Sequence, residues 1–226
     1  MEAVILAGGF GTRLRPVINN LPKPMAPINN KPFLEILMRN LDRKGFERVV
    51  FSLHYMPEKI ISYFNDSFLG MEIDYIIEDI PLGTGGAIKN SFNKVKSDQV
   101  YIFNGDSYVD FNFKSTEALR EEVNAPIILL KQLKNINRYG SVKIKDRLII
   151  GFEEKNNSGP GFINAGVYII NKNLLNDFPS QKQFSFEKDY LTKKVNESPH
   201  YYYICEGDFI DIGVPNDFNR AQEMFK

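Results

Sequence analysis

The feature that most constrains this chain is a rhythm. Apolar, strand-like runs at residues 3–6, 49–53, 73–77 and 100–103 are separated by stretches that read as helices, and strands alternating with helices in this way build a parallel sheet covered on both faces. The expected class is therefore α/β, a doubly wound and mostly parallel sheet in three layers. The first crossover is the clearest. Pro32 suits a first helical turn, Phe33, Ile36, Leu37 and Leu41 fall on one face, and Gly45 closes the helix. A second helix is expected over 57–64, and a third begins near Gly85 and carries Ala87, Ile88 and Phe92. After Asp106 the rhythm changes. Strands are expected at 127–130, 141–144, 148–152 and 166–170 with short links, and Lys145-Asp146-Arg147 reads as a hairpin tip. This smaller, β-rich half is expected to build the pocket of a second ligand. The chain closes with a helix on which Phe218, Ala221 and Phe225 share a face. Without repeats or a long linker, residues 1–226 read as one domain, with 1–110 and 111–226 as its two functional halves.

Composition excludes several classes. Lys plus Arg equals Asp plus Glu at 28 each, so no global field gathers nucleic acid or an anionic membrane, and neither is expected as a partner. A chain of 226 residues buries about 70% of its unfolded surface and needs no metal or disulfide for stability. Cys205 is the one cysteine, which fits a reducing compartment and reads as a small core residue. Met1-Glu2 leads straight into a strand without the basic and apolar parts of an export signal. No apolar run approaches the roughly 20 residues of a membrane span. A soluble, cytoplasmic protein is expected.

The chemistry concentrates in a few places. Leu6-Ala7-Gly8-Gly9-Phe10-Gly11-Thr12-Arg13-Leu14 follows the first strand, where glycine lets backbone amides approach phosphate oxygens. Leu14 stands where the dinucleotide fingerprint needs its last glycine, and no Gly-Lys-Ser/Thr exists for a Walker loop. Arg13 supplies a guanidinium fork for pyrophosphate, and Lys23, between Pro22 and Pro24, adds a second fixed cation. Asp106, in Asn104-Gly105-Asp106, and the distant Asp211 each follow an apolar run. Two carboxylates at strand ends can meet around one Mg²⁺ whose remaining ligands are water and phosphate. Taken singly, each Asp reads more readily as a cap or turn residue than as a metal ligand. Glu153-Glu154-Lys155 and the stretch through Asn164 offer polar groups for sugar hydroxyls and a sugar phosphate. His54 and His200 lie in no ligand or nucleophile motif and read as structural.

Taken together, Gly8-Gly9-x-Gly-Thr-Arg-Leu, Pro22-Lys23-Pro24, Leu82-Gly83-Thr84-Gly85-Gly86-Ala87, Gly105-Asp106, Arg138-Tyr139-Gly140, Glu154-Lys155, Asn164-Ala165-Gly166-Val167-Tyr168 and Asp211-Ile212-Gly213 resemble the sugar-1-phosphate nucleotidylyltransferases. The likeness covers essentially the whole chain. It implies a Rossmann-like nucleotidyltransferase fold with a β-rich sugar-binding insertion. Pro81 to Ile88, Phe184-Ser185-Phe186-Glu187 and Phe209-Ile210-Asp211-Ile212-Gly213 look most like the bacterial D-glycero-α-D-manno-heptose 1-phosphate guanylyltransferases. Ser107-Tyr108 stands where relatives often carry Thr after the Asp.

The resemblance implies attack by a sugar 1-phosphate oxygen on the α-phosphorus of a nucleoside triphosphate, with release of pyrophosphate. GTP and the heptose phosphate are the implied substrates, with Mg²⁺ as cofactor and a surface glycan such as capsule as destination. Its residue roles come by position. Leu6, Gly8, Gly9, Gly11, Thr12, Gly83, Thr84 and Gly85 would bind nucleotide, and Arg13 and Lys23 would hold phosphates. Asp106 and Asp211 would hold the metal, and Tyr139, Gly140, Glu154, Lys155, Asn164 and Glu187 would line the sugar phosphate pocket. Members form dimers and tetramers, so a homo-oligomer is compatible with the likeness. Rival readings are mannose 1-phosphate with GTP, another hexose phosphate with dTTP or UTP, and a non-catalytic nucleotide-sugar sensor. A nicotinamide dehydrogenase is disfavoured by the failed fingerprint.

Overall fold

The computed structural model describes residues 1–14, 18, 20–153, 158–179 and 182–226. Strand β1 (Glu2–Leu6) leads through the glycine loop and a short hairpin, β2 (Pro27–Ile28) and β3 (Lys31–Pro32), into α1 (Phe33–Arg43). There follow β4 (Arg48–Leu53), α2 (Pro57–Phe64), β5 (Ser67–Phe68), β6 (Met71–Ile77), α3 (Gly83–Ser91) and β7 (Gln99–Asn104). β1 pairs in parallel with both β4 and β7, and β4 with β6. The expected α/β alternation thus forms, with helix α2 on the expected residues.

Period-two side-chain direction splits these strands between two cores. Ala3, Ile5, Val49 and Phe51 face α1 and α2 with Leu34, Leu37 and Ile60. Val4, Val50, Val100 and Ile102 face the other way, against Ile88 and Phe92 of α3. The sheet is therefore the middle of three layers.

The second half enters the same sheet. β9 (Ile127–Leu133), β10 (Ser141–Lys145), β11 (Leu148–Glu153), β12 (Gly161–Asn171) and β13 (Tyr201–Ile204) extend it to ten strands in the order β10-β11-β13-β9-β12-β7-β1-β4-β6-β5. β12 runs antiparallel to β7 and to β9, so the sheet as a whole is mixed, with parallel pairing gathered around β1 and one further parallel pair between β9 and β13. Short links dictate this locally: β10 and β11 turn back through Asp146, at φ +54°, and a parallel neighbour would need a crossover of a dozen residues or more. The β-rich half is thus continuous with the nucleotide half through the β7–β12 pairing.

Three further elements complete the site's frame. β8 (Ser107–Val109) pairs antiparallel with β14 (Phe209–Asp211) as a separate ribbon. Helix α6 (Pro215–Met224) buries Phe218 and Ala221 with Leu14, Ile28, Phe33 and Ile210 in a third core, against which Phe225 also packs. Helix α4 (Phe113–Val123) follows β8 and precedes β9 in the chain, a stretch with no expected element. It buries only Thr116 fully, and the Asn112 side chain caps it by accepting from Ser115 N at 3.1 Å. The wide turn Phe186–Leu191 passes into α5 (Thr192–Lys194). Cys205 and His200 are buried, as expected of core residues.

Candidate active site

At Leu6 the chain leaves the sheet between Ser52 of β4 and Asn104 of β7. Residues 8–14 then cross the carboxyl ends of these strands, the place where open α/β sheets collect ligands. The glycines there do different work. Gly11 has φ +59°, and a Cβ on it would lie 2.7 Å from Lys23 Cβ, so both conformation and space exclude a side chain. A Cβ on Gly8 would crowd His54, whereas one on Gly9 would meet nothing within 4 Å. Packing within the chain does not explain Gly9. Leu14 ends the turn Thr12–Leu14 in the third core and leaves Arg13 exposed on the wall of a cavity of about 370 Å³.

Lys23 crosses from the other side. Proline on both sides and the bonds Met25 N to Pro22 O and Ala26 N to Lys23 O fix its turn, and the side chain runs buried to an ammonium 2.6 Å from Asp106 Oδ2 and 3.4 Å from Asp211 Oδ1. The β8–β14 ribbon explains how two carboxylates so far apart in sequence meet. Asp211 is registered opposite Ser107, and Ile212 N donates to the Asp106 carbonyl at 3.0 Å. Gly213 completes the corner, its N–H donating to Asp211 Oδ1 at 2.7 Å, where a Cβ would lie 2.9 Å from that same oxygen. Burial opposes ionisation of both carboxyls. At Asp106 the Lys23 ammonium outweighs it and holds the group below its usual range, while at Asp211 burial and the neighbouring Asp106 charge hold it above.

The third wall is the start of α3. Gly83 and Thr84 line the cavity. Gly85 points its missing side chain elsewhere: a Cβ there would lie 2.1 Å from the Phe184 ring, and one on Gly86 would lie 2.6 Å from the Lys182 carbonyl. Gly85 therefore serves the packing of residues 182–184 on the helix, and the structure puts it off the cavity wall, unlike the other glycines assigned to the nucleotide.

The expected sugar phosphate residues form a second group. Tyr139 accepts a hydrogen bond from Arg138 at 3.0 Å and packs edge-on against Phe209 of the ribbon. A Cβ on Gly140 would lie 2.9 Å from the Glu153 carbonyl, so that strand passes close beside it. Asn164 and Glu187 are joined through Tyr168. None of these four lines the cavity that holds Arg13 and Lys23. Glu154 and Lys155 lie outside the described residues.

The cavity also contains residues that motif reading passed over. Phe10, Ser52, His54, Glu78 and Asn104 line it. Ser52 donates to Glu78 Oε1 at 2.9 Å, Leu82 N donates to Glu78 Oε2 at 2.9 Å, and His54 Nδ1 donates to the Glu78 carbonyl at 2.8 Å. His54 thus stands on the cavity wall, while its bond to the Glu78 carbonyl is the structural part expected of it. The strand-end rule that selected Asp106 selects this cluster too, because it sits where β4 and β6 finish.

A cavity lined by an ammonium and the Asp106 carboxylate, with Asp211 held against the same ammonium, and walled by a glycine loop with an arginine, has the parts needed to align anionic phosphates. The chain matches the nucleotidyl transferase family model over residues 2–226. It belongs to that family. This nucleotidyltransferase is 43% identical over 224 residues to a D-glycero-α-D-manno-heptose 1-phosphate guanylyltransferase of Aneurinibacillus thermoaerophilus, covering 99% of this chain and 97% of that protein. It is 42% identical to the Campylobacter jejuni protein of the same name, covering 96% and 97%. Among solved structures it is similar to HddC from Yersinia pseudotuberculosis complexed with GMP-PN, with a TM-score of 0.88, 38% identity and coverage of 100% and 99%. The reaction class implied by the resemblance is therefore that of the family, whose members act on a nucleoside triphosphate and a sugar 1-phosphate.

Proposed function

We propose that this nucleotidyltransferase transfers guanylate from GTP to D-glycero-α-D-manno-heptose 1-phosphate, giving GDP-heptose and pyrophosphate. The observation that carries the substrate choice is the 42–43% identity over nearly the whole chain to two guanylyltransferases of that specificity, joined to the cluster in which Lys23, on the cavity wall, meets Asp106 and Asp211. We place the reaction in the cytoplasm, where GTP is at hand, and its product in the supply of a surface glycan such as capsule. No helix among the described residues is long and apolar enough to cross a membrane. The chain acts as one domain, nucleotide held chiefly by residues 1–110 and sugar phosphate by 111–226.

The nucleophile is a phosphate oxygen that is already ionised, so the protein's task is alignment and charge rather than proton removal. The bond from that oxygen to the α-phosphorus forms as the bond to the leaving pyrophosphate breaks. Arg13 holds the pyrophosphate by its planar fork. Lys23, whose stem cannot swing because prolines and buried neighbours hold it, presents its ammonium to the reacting phosphates. Gly9 and Gly11 let the loop backbone come close to them.

Asp106 and Asp211 suit a bound Mg²⁺. Both already turn an oxygen to one cation, the Lys23 ammonium, and the described residues offer no cluster of three metal-ligand side chains, which fits an ion that takes its other ligands from water and phosphate. When bound there, Mg²⁺ would neutralise phosphate charge and ease departure of pyrophosphate.

The test is pyrophosphate release with Mg²⁺, crossing GTP, ATP, UTP, CTP and dTTP against the heptose, mannose and glucose 1-phosphates. Release with GTP and the heptose phosphate alone is expected. Strong turnover of another pair would replace the substrates and keep the chemistry. Silence with GTP still bound would favour an untested sugar or a sensor.

A further inference from the structure

A continuous hydrogen-bonded chain runs from β12 to the first turn of α3. Thr84 Oγ1 donates to Glu187 Oε2 at 2.8 Å, the Tyr168 hydroxyl donates to Glu187 Oε1 at 2.7 Å, and Asn164 Nδ2 donates to the Tyr168 oxygen at 2.8 Å. At its ends Asn164 Oδ1 accepts from Gly166 N at 2.9 Å, and Thr84 Oγ1 accepts from Phe186 N at 2.8 Å. Ser185 Oγ adds a third hydroxyl on Glu187 at 3.2 Å.

The direction of every link follows from one group. An ionised carboxylate only accepts, so Tyr168 spends its single proton on Glu187 and must receive a proton from its other neighbour. That neighbour is the Asn164 amide, which therefore turns its NH₂ to Tyr168 and its carbonyl to the Gly166 N–H. Tyr168 is 0% exposed and meets no ligand itself. Its hydroxyl is kept un-ionised by burial and by the Glu187 charge beside it, which preserves the donor the chain needs.

We propose that Glu187 is a positioning residue: it sets the polarity of this chain, and through Tyr168 fixes which edge of the Asn164 amide faces the sugar 1-phosphate while it holds Thr84 at the nucleotide cavity. Both of its oxygens are engaged by the chain's own hydroxyls, so Glu187 acts behind the site and is not itself a sugar ligand. The identity of the two occupants rests on the proposed function; the chain of bonds does not. Reversing one link reverses its neighbours. Without the Tyr168 hydroxyl the Asn164 amide loses one of the two partners that orient it and is left on the Gly166 N–H alone, and an amide in place of the Glu187 carboxylate sets a donor against a hydroxyl proton on the Thr84 or the Tyr168 side.

The experiment compares full-length wild type, Tyr168→Phe and Glu187→Gln in steady-state kinetics, using GTP with the sugar 1-phosphate that the wild type turns over best, together with thermal melts. Choosing the pair from the wild type separates a wrong sugar from a wrong role. Tyr168→Phe is expected to raise KM for the sugar phosphate roughly five- to tenfold, the loss of one oriented hydrogen bond, with KM for GTP within about twofold. Glu187→Gln is expected to raise both KM values. A sugar KM that Tyr168→Phe leaves within about twofold of wild type overturns the proposal. So does a sugar KM raised alone by Glu187→Gln, which would mark Glu187 as a direct ligand; this second variant decides the matter if Tyr168→Phe fails to fold.

Discussion

Gly9 and Gly11 stand two residues apart in one loop and make opposite demands. Alanine at Gly11 must adopt φ +59° with its Cβ 2.7 Å from Lys23 Cβ, so the turn, and with it the Lys23 stem, has to move. Gly11→Ala is expected to cost about 1 kcal/mol or more in stability and to lower kcat/KM about a hundredfold through the displaced ammonium, as read by melts and pyrophosphate release. Gly9→Ala meets nothing inside the chain. Its melting temperature is expected to stay within about 2 °C of wild type, while KM for GTP rises about tenfold because the methyl stands where phosphate must approach. A Gly9→Ala variant with unchanged nucleotide affinity would remove that residue from the phosphate cradle. This difference was not legible in the sequence, where both positions are simply glycine. Gly85 is the same lesson in reverse: within its motif it resembles a nucleotide contact, but only the fold brings the Phe184 ring against it.

Strands and helices were legible where burial imposes a period and obscure where it does not. β1, β4 and β7 are apolar runs because both their faces are covered, and α1 shows its buried stripe plainly. Helix α4 escaped because it lies over β7 and β9 with one fully buried residue, and its cap, Asn112, is common in turns as well. The strand ends add a second kind of information, since polar residues there hold elements together as often as they bind ligands. Glu2 accepts from Lys96 N at 2.9 Å and Ser97 N at 2.5 Å and pairs with Arg48, tying β1 and β4 to the link before β7. Burial disfavours its charge, yet these hydrogen bonds prevail and hold its pKa below the ordinary value of 4.5. A carboxyl depressed in the folded state stabilises fully above its unfolded pKa and loses that contribution as pH falls through the folded one. Glu2→Gln is thus expected to cost about 1–3 kcal/mol at pH 7 and to flatten the acid limb of the stability curve below about pH 4.5. Chemical denaturation across pH 3–7 measures both; an unchanged acid limb would show that other carboxyls govern it.

At the scale of the whole molecule, the site is a meeting of distant segments. Lys23, Asp106 and Asp211 come from three parts of the chain, and only the β8–β14 ribbon and the third core hold them in register. Sequence pattern could nominate each Asp but not the ribbon, because strands this short carry no period. Phe218 of α6 touches no cavity residue's chemistry yet anchors that core. Phe218→Ala is expected to destabilise by about 3–5 kcal/mol and, where the protein still folds, to lower both kcat and GTP affinity, since that core holds Ile210 of the ribbon beside Asp211 and also Leu14 at the end of the glycine loop. Unchanged kcat and GTP affinity in a folded variant would show that the core does not position the cavity.

The ribbon also orders events in time. Asp211 joins Asp106 only when β14 folds back across β8, after which α6 seals the corner. Leu14 shares that core, so the Arg13 end of the glycine loop and the second carboxylate beside Lys23 are both completed by the segment from β14 onward, and a chain that stops short of β14 lacks both supports.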